Sequence, residues 1–132
     1  MKKIILAVFM ILLFSCKKHY VYYPSIKGTV YSKEENKPLK NVKIYKPNAL
    51  LNTPDTAISN YEGQFFIKGE RFEYNPYNLR GERNFIVKHM AYVNRLKIKG
   101  YKEKNLDIRS FKNKSGEYID TVNFNNIYLE KE

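Results

Sequence analysis

The 132-residue chain has one cysteine and two histidines. A single cysteine excludes an intrachain disulfide framework and any multi-cysteine metal cluster. His19 and His89 leave little material for a zinc site. There is no Gly-x-Ser-x-Gly elbow and no His-Glu-x-x-His pair, two common signatures of hydrolases. Asp107 and Asp120 fall on either side of a hairpin read in the sequence, but no spacing fixes their separation. These gaps predict a non-enzyme with no catalytic residue, no metal and no cofactor. Negative charge is also scarce: 13 Asp and Glu stand against 24 Lys and Arg, a formal net charge of +11. An apolar fraction of 43% argues against wholesale disorder, and the length suits one domain.

Long apolar runs are missing except at the start. Lys2 and Lys3 precede an unbroken apolar run of 11 residues, Ile4 to Phe14. A spanning helix needs about 20 apolar residues, so the run is too short to cross a bilayer. A basic head, a short apolar segment and a small residue at its end have the form of a secretory leader.

The run ends in Leu13-Phe14-Ser15-Cys16. This resembles the lipobox of bacterial lipoproteins, with an aliphatic residue three places before the cysteine and a small residue directly before it. Phe14 is bulkier than the residue usual at its place. The resemblance implies cleavage after residue 15, a diacylglycerol on the Cys16 thiol and acylation of the new amine. One acyl chain holds a protein only marginally, at about 0.8 kcal/mol per buried methylene, and additional chains make the anchor lasting. The partner so implied is a membrane, reached through the N-terminal lipid. Export also argues against nucleic acid as a partner, although the charge alone would permit it.

Residues 16–24 then read as a lipidated tether. Lys17 and Lys18 would lie at headgroup depth, where each cation gains about 1 kcal/mol against an anionic surface. Tyr20, Tyr22 and Tyr23 suit either a membrane boundary or a preliminary strand packed on the domain. Lys17 stands where enteric-type lipoproteins retained in the inner membrane carry an Asp. No acidic residue occurs from Cys16 to Lys33, unlike the surface-exported lipoproteins of the Bacteroidetes type. Both resemblances imply the periplasmic face of the outer membrane.

From residue 25 on, the chain lacks the i, i+3, i+4, i+7 apolar spacing of amphipathic helices. It alternates instead. Ile26, Gly28 and Val30 interleave with Lys27, Thr29 and Tyr31, and Val42 and Ile44 with Lys43 and Tyr45. Similar runs occur near Thr56–Ile58, Phe65–Ile67, Phe85–Val87, Leu96–Ile98 and Ile127–Leu129. Turn signals at residues 33–38, 60–63 and 113–116 separate them. Residues 25–132 are therefore expected to form an all-β fold, a small antiparallel β-sandwich of about seven strands.

Gly28-Thr29-Val30, then Pro38-Leu39-Lys40-Asn41-Val42-Lys43-Ile44, then Ser59-Asn60-Tyr61-Glu62-Gly63-Gln64-Phe65 resemble the pattern of the carboxypeptidase regulatory-like domain. This is a transthyretin-like sandwich found in Bacteroidetes envelope proteins. Asn60 replaces the usual Asp, and Ala91-Tyr92 replaces a later Gly-Tyr. The match is close over residues 25–68 and loose over 84–130. It implies a binding or scaffolding role, accessory to an outer-membrane complex, with an envelope protein or glycan as partner.

Two surfaces are candidates for binding. Residues 69–84 form a stretch too long for a plain turn, and Phe72, Tyr74 and Tyr77 lie among Arg71, Arg80 and Arg83. Phe72, Tyr74, Tyr77, Arg80 and Arg83 suit stacking on a carbohydrate or peptide, or a hairpin that covers one end of the sandwich. Arg95, Lys97 and Lys99 alternate with Leu96 and Ile98 and form a basic stripe, suited to solvent or to phosphate and acidic glycans. Residues 100–123 read as a solvent-facing hairpin.

Overall fold

The computed structural model describes residues 19–47, 56–73 and 92–132. The predicted leader, Cys16, Lys17, Lys18, the strand at Phe85–Val87 and His89 lie outside these residues. Within them, the alternating stretches form strands. The strands are β1 (His19–Tyr23), β2 (Ser25–Ser32), β3 (Lys43–Tyr45), β4 (Thr56–Ile58), β5 (Gln64–Ile67), β6 (Glu70–Glu73), β7 (Val93–Lys97), β8 (Lys104–Asp107) and β9 (Thr121–Leu129). No helix occurs among the described residues.

The strands form a three-stranded sheet, β5-β2-β9, a four-stranded sheet, β4-β3-β7-β8, and a two-stranded ribbon, β1-β6. The inward residues of the first sheet are Ile26, Val30, Phe65, Ile67, Val122, Ile127 and Leu129. They share one core with Val42, Ile44, Leu96, Leu106 and Ile108 of the second. The fold is thus an all-β sandwich, held mainly by apolar burial at about 1.5–3 kcal/mol for each large side chain. All ladders are antiparallel except β2–β9, which is parallel. The expectation of a wholly antiparallel sandwich is corrected at that pair. β9 enters beside β2 after the chain has passed through the other sheet, so no hairpin reverses its direction.

The β2–β9 ladder slips between Lys27 and Thr29. The slip is a bulge at Phe124–Asn125, with Asn125 at φ 54° and its N–H donating to the Asn123 side chain at 3.0 Å. Gly28 faces this bulge. A Cβ there would meet Ile127 Cδ1 at 3.0 Å and Phe65 Cε1 at 3.1 Å. The glycine of the Gly-Thr-Val motif therefore gives the core room at the bulge.

The ribbon prolongs the β2–β5 ladder. Tyr23 pairs with Glu70 and His19 with Glu73, in line with Ile26 opposite Ile67. His19–Tyr23 is therefore a strand rather than a loose tether. Tyr23 is 3% exposed and accepts a 2.6 Å hydrogen bond from Asn94 Nδ2, while Lys46 Nζ lies 3.4 Å from its ring centre. Its ring is taken up by the core and by Lys46, so it does not serve as a membrane-boundary residue.

The turns expected at 33–38, 60–63 and 113–116 are present. Asn60 Oδ1 accepts from the N–H groups of Glu62 at 3.0 Å and Gln64 at 2.8 Å, and Asn113 Oδ1 from Ser115 and Glu117, both at 2.9 Å. The hairpin expected over 100–123 is reduced to its tip, where Lys112 bridges Tyr118 across the 113–116 turn. β8 pairs with β7 and β9 with β2, and Leu106 and Ile108 are buried rather than facing solvent. Two apolar side chains on one face gain more from the shared core than from a free hairpin.

The segment between β8 and β9 closes one side of the core with aromatics. Phe111 meets Phe124 edge-on at 5.2 Å, and Tyr118 lies 6.5 Å from Tyr92. The Tyr118 hydroxyl is buried without a hydrogen-bond partner among the described residues. Burial is the main cause that pushes its pKa from the ordinary 10 up to about 12, with Tyr92 and Asp107 adding to it. Between these values the folded chain keeps a proton that the unfolded chain has lost. This contribution to stability is present in full below pH 10 and is lost as pH rises toward 12. Thermal unfolding followed from about pH 9 to 12 should show Tyr118→Phe losing less stability than the parent. Parallel curves for the two proteins would refute the assignment.

Candidate functional site

Of the sequence candidates, Phe72, Arg95, Lys97 and Lys99 lie among the described residues. Phe72 lies in β6, its backbone paired with Tyr20. Tyr74, Tyr77, Arg80 and Arg83 lie outside the described residues, as does Cys16. Arg95 and Lys97 stand on the outer face of β7, with Lys99 in the exposed turn that follows. Both strand cations share one carboxylate: Glu103 lies 3.5 Å from Arg95 Nη1 and 2.9 Å from Lys97 Nζ. The hydrogen bond to Glu103 raises the Lys97 pKa, and the same bond lowers that of Glu103. Lys43 is the cross-strand neighbour of Lys97. Like charges opposite each other repel, which Glu103 offsets here. The stripe is an ion-pair cluster in which one carboxylate serves two cations, so it keeps a net positive charge, and Lys99 stands apart.

The two aspartates are also engaged. Asp107 is held by Arg109, Nε to Oδ1 at 3.0 Å, and these bonds lower its pKa. Asp120 lies 3.3 Å from Arg71. Each carboxylate faces its own guanidinium, so the pair does not resemble a general acid and base sharing a substrate. Among the described residues, no group of three or more His, Cys, Asp or Glu side chains is placed to hold a metal ion.

A concave surface lies on the outer face of β5-β2-β9. An open groove of about 470 Å³ is lined by Lys27, Thr29, Ile58, Gln64, Phe66 and Asn123, among others. Strand parity builds it. Lys27 pairs with Phe66 on one side and Asn123 on the other, and Thr29 with Gln64 and Asn126, so each row points the same way. The next row holds Tyr31 opposite Tyr128, with rings stacked 5.7 Å apart at 29°. Phe66 is 58% exposed and Ile58 64%. The turn at Asn60 orients Gln64, and the bulge at Asn125 orients Asn123. Sequence reasoning did not select this face. One signal was there: in Gln64-Phe65-Phe66-Ile67 alternation must turn one phenylalanine outward.

No protein-family model matches the chain, and no curated protein matches it either.

Proposed function

We propose that the chain is a membrane-anchored cell-envelope lipoprotein whose sandwich acts as a non-enzymatic binding or scaffolding module. The observation that carries this is the Leu13-Phe14-Ser15-Cys16 sequence, which ends only three residues before β1 begins at His19. A lipid on Cys16 would hold the ribbon, and with it the sandwich, close to the bilayer. Three acyl chains give lasting attachment where one does not. The absence of acidic residues between Cys16 and Lys33 favours the periplasmic leaflet of the outer membrane. The resemblance of residues 25–68 to the carboxypeptidase regulatory-like domain favours an accessory role beside an outer-membrane complex, with an envelope protein or glycan as partner.

Metabolic labelling with a fatty-acid analogue tests the anchor. The parent chain should be labelled and recovered in the membrane fraction, while Cys16→Ala should be neither. Label retained in the variant would exclude Cys16 as the lipidation site.

A further inference from the structure

We propose that the outer face of β5-β2-β9 binds an acidic oligosaccharide, laid along β2 from Phe66 to the Tyr31–Tyr128 pair. This names a ligand class for the binding module above and rests on that reading.

The face has aromatic rings at both ends and hydrogen-bonding groups between them. Phe66, 58% exposed, lies in the row of Lys27, and Tyr128, 40% exposed, lies in the row of Tyr31. Residues on one face of a strand repeat about every 6.6 Å, so the two aromatic rows stand roughly 13 Å apart. That is the length of a short oligosaccharide. An aromatic face carries partial negative charge and receives the polarised C–H face of a sugar ring. Thr29, Gln64 and Asn126 occupy the interval and Asn123 lies in the Phe66 row, and hydroxyls and amides both donate and accept, as a row of sugar hydroxyls requires.

The charge on this face selects the acidic class. No Asp or Glu belongs to its three rows, and Lys27 has no ion-pair partner among the described residues. On the opposite sheet, Arg95 and Lys97 are already bound to Glu103. Lys27 is thus a cation flanked in its row by Phe66 and Asn123, with no anion supplied by the described residues. A carboxylate on a sugar ring stacked at Phe66 would complete it. The formal charge of +11, or +9 once Lys2 and Lys3 leave with the expected leader, would draw a polyanionic glycan toward the surface.

The platform is also rigid. β2 is hydrogen-bonded on both sides, to β5 and β9. The Asn60 turn and the Asn125 bulge fix the two flanking strands. A preformed face loses little conformational entropy on binding.

Calorimetric titration of the full chain in detergent provides the test, with oligogalacturonates as the acidic probe and cello-oligosaccharides of equal length as the neutral one. The parent should bind the acidic probe more tightly. Phe66→Ala should weaken that binding about tenfold or more. Lys27→Gln should do the same for the acidic probe alone, as expected for the loss of one charge-assisted hydrogen bond. Arg95→Gln with Lys97→Gln, on the opposite sheet, should leave it within about twofold. All substituted residues lie at or near the surface, and near-ultraviolet dichroism verifies that each variant is folded. Absence of binding to the acidic probe overturns the proposal. So does binding that survives Phe66→Ala and Lys27→Gln, or that is lost in the opposite-sheet control. A face that binds only anionic vesicles or an envelope protein overturns it as well. Failure here with Cys16 labelling intact refutes the glycan alone. Loss of labelling with glycan binding intact refutes the anchor alone.

Discussion

Gly69→Ala is expected to unfold the ribbon and to cost the sandwich several kcal/mol. The β1–β2 and β5–β6 connections cross at this residue. A Cβ on Gly69 would lie 2.3 Å from both Ser25 N and Tyr23 O, and 2.5 Å from Pro24 C. All three are backbone atoms, so no side chain can turn aside to make room. Relief requires the two connections to separate. That would strain the bond from Gly69 N–H to Ser25 Oγ, now 2.9 Å, and the packing of Tyr23, now 3% exposed. Changes beyond about 4 kcal/mol are rare for single substitutions and arise from such forced backbone shifts or large cavities. Domains of this size have only about 5–15 kcal/mol to lose. Urea unfolding of Gly69→Ala should therefore show a midpoint far below that of the parent, or no folded baseline. A midpoint within experimental error of the parent would mean that the crossing is looser than described.

Leu96→Ala is expected to cost about 2–5 kcal/mol, the range for truncating a fully buried leucine. Leu96 is 0% exposed at the centre of the four-stranded sheet, paired with Ile44 on β3 and Lys104 on β8. Strands flank it on both sides, and the other sheet covers it, so the cavity cannot collapse easily. In a domain of roughly 100 residues each kcal/mol lowers Tm by about 4 °C or more, so the melting temperature should drop by roughly 8–20 °C. Lys97→Ala, one residue on but exposed, should shift Tm by no more than a few degrees, because solvent screens an exposed ion pair and leaves it little net stabilisation. Equal losses in the two variants would contradict the inward and outward assignment of β7.

The contrast between Leu96 and Lys97 is legible in the sequence, because strand parity is local. Alternation alone assigns Ile26, Val30, Val42, Ile44, Leu96, Ile127 and Leu129 to inward faces, and all seven are buried. Asn60 and Gly63 announce their turn for an equally local reason: a side chain bonded to its own backbone and a positive φ of 74° at the glycine. The error at residues 100–123 is equally instructive. Leu106 and Ile108 alternate as a hairpin strand would, but periodicity is silent on which neighbour a strand takes. Pairing is decided by where apolar faces are left uncovered, and β8 found β7. The role of Tyr23 is undecidable from the sequence for the same reason, since its partner Asn94 is remote along the chain.

By itself the sequence determined a basic chain with a lone cysteine at the end of a short apolar run, followed by an alternating all-β body. Each of these properties resides in composition or in neighbours a few residues apart. Only the tertiary structure decided which outward side chains stand together. Pairing across ladders brought Phe66, Lys27 and Asn123 into one row, although they are distant along the chain, and gave Arg95 and Lys97 a shared carboxylate. Register between strands is a non-local choice, set by which faces the core must cover. The same choice left Lys27 without an anion among the described residues and placed exposed rings at both ends of its face.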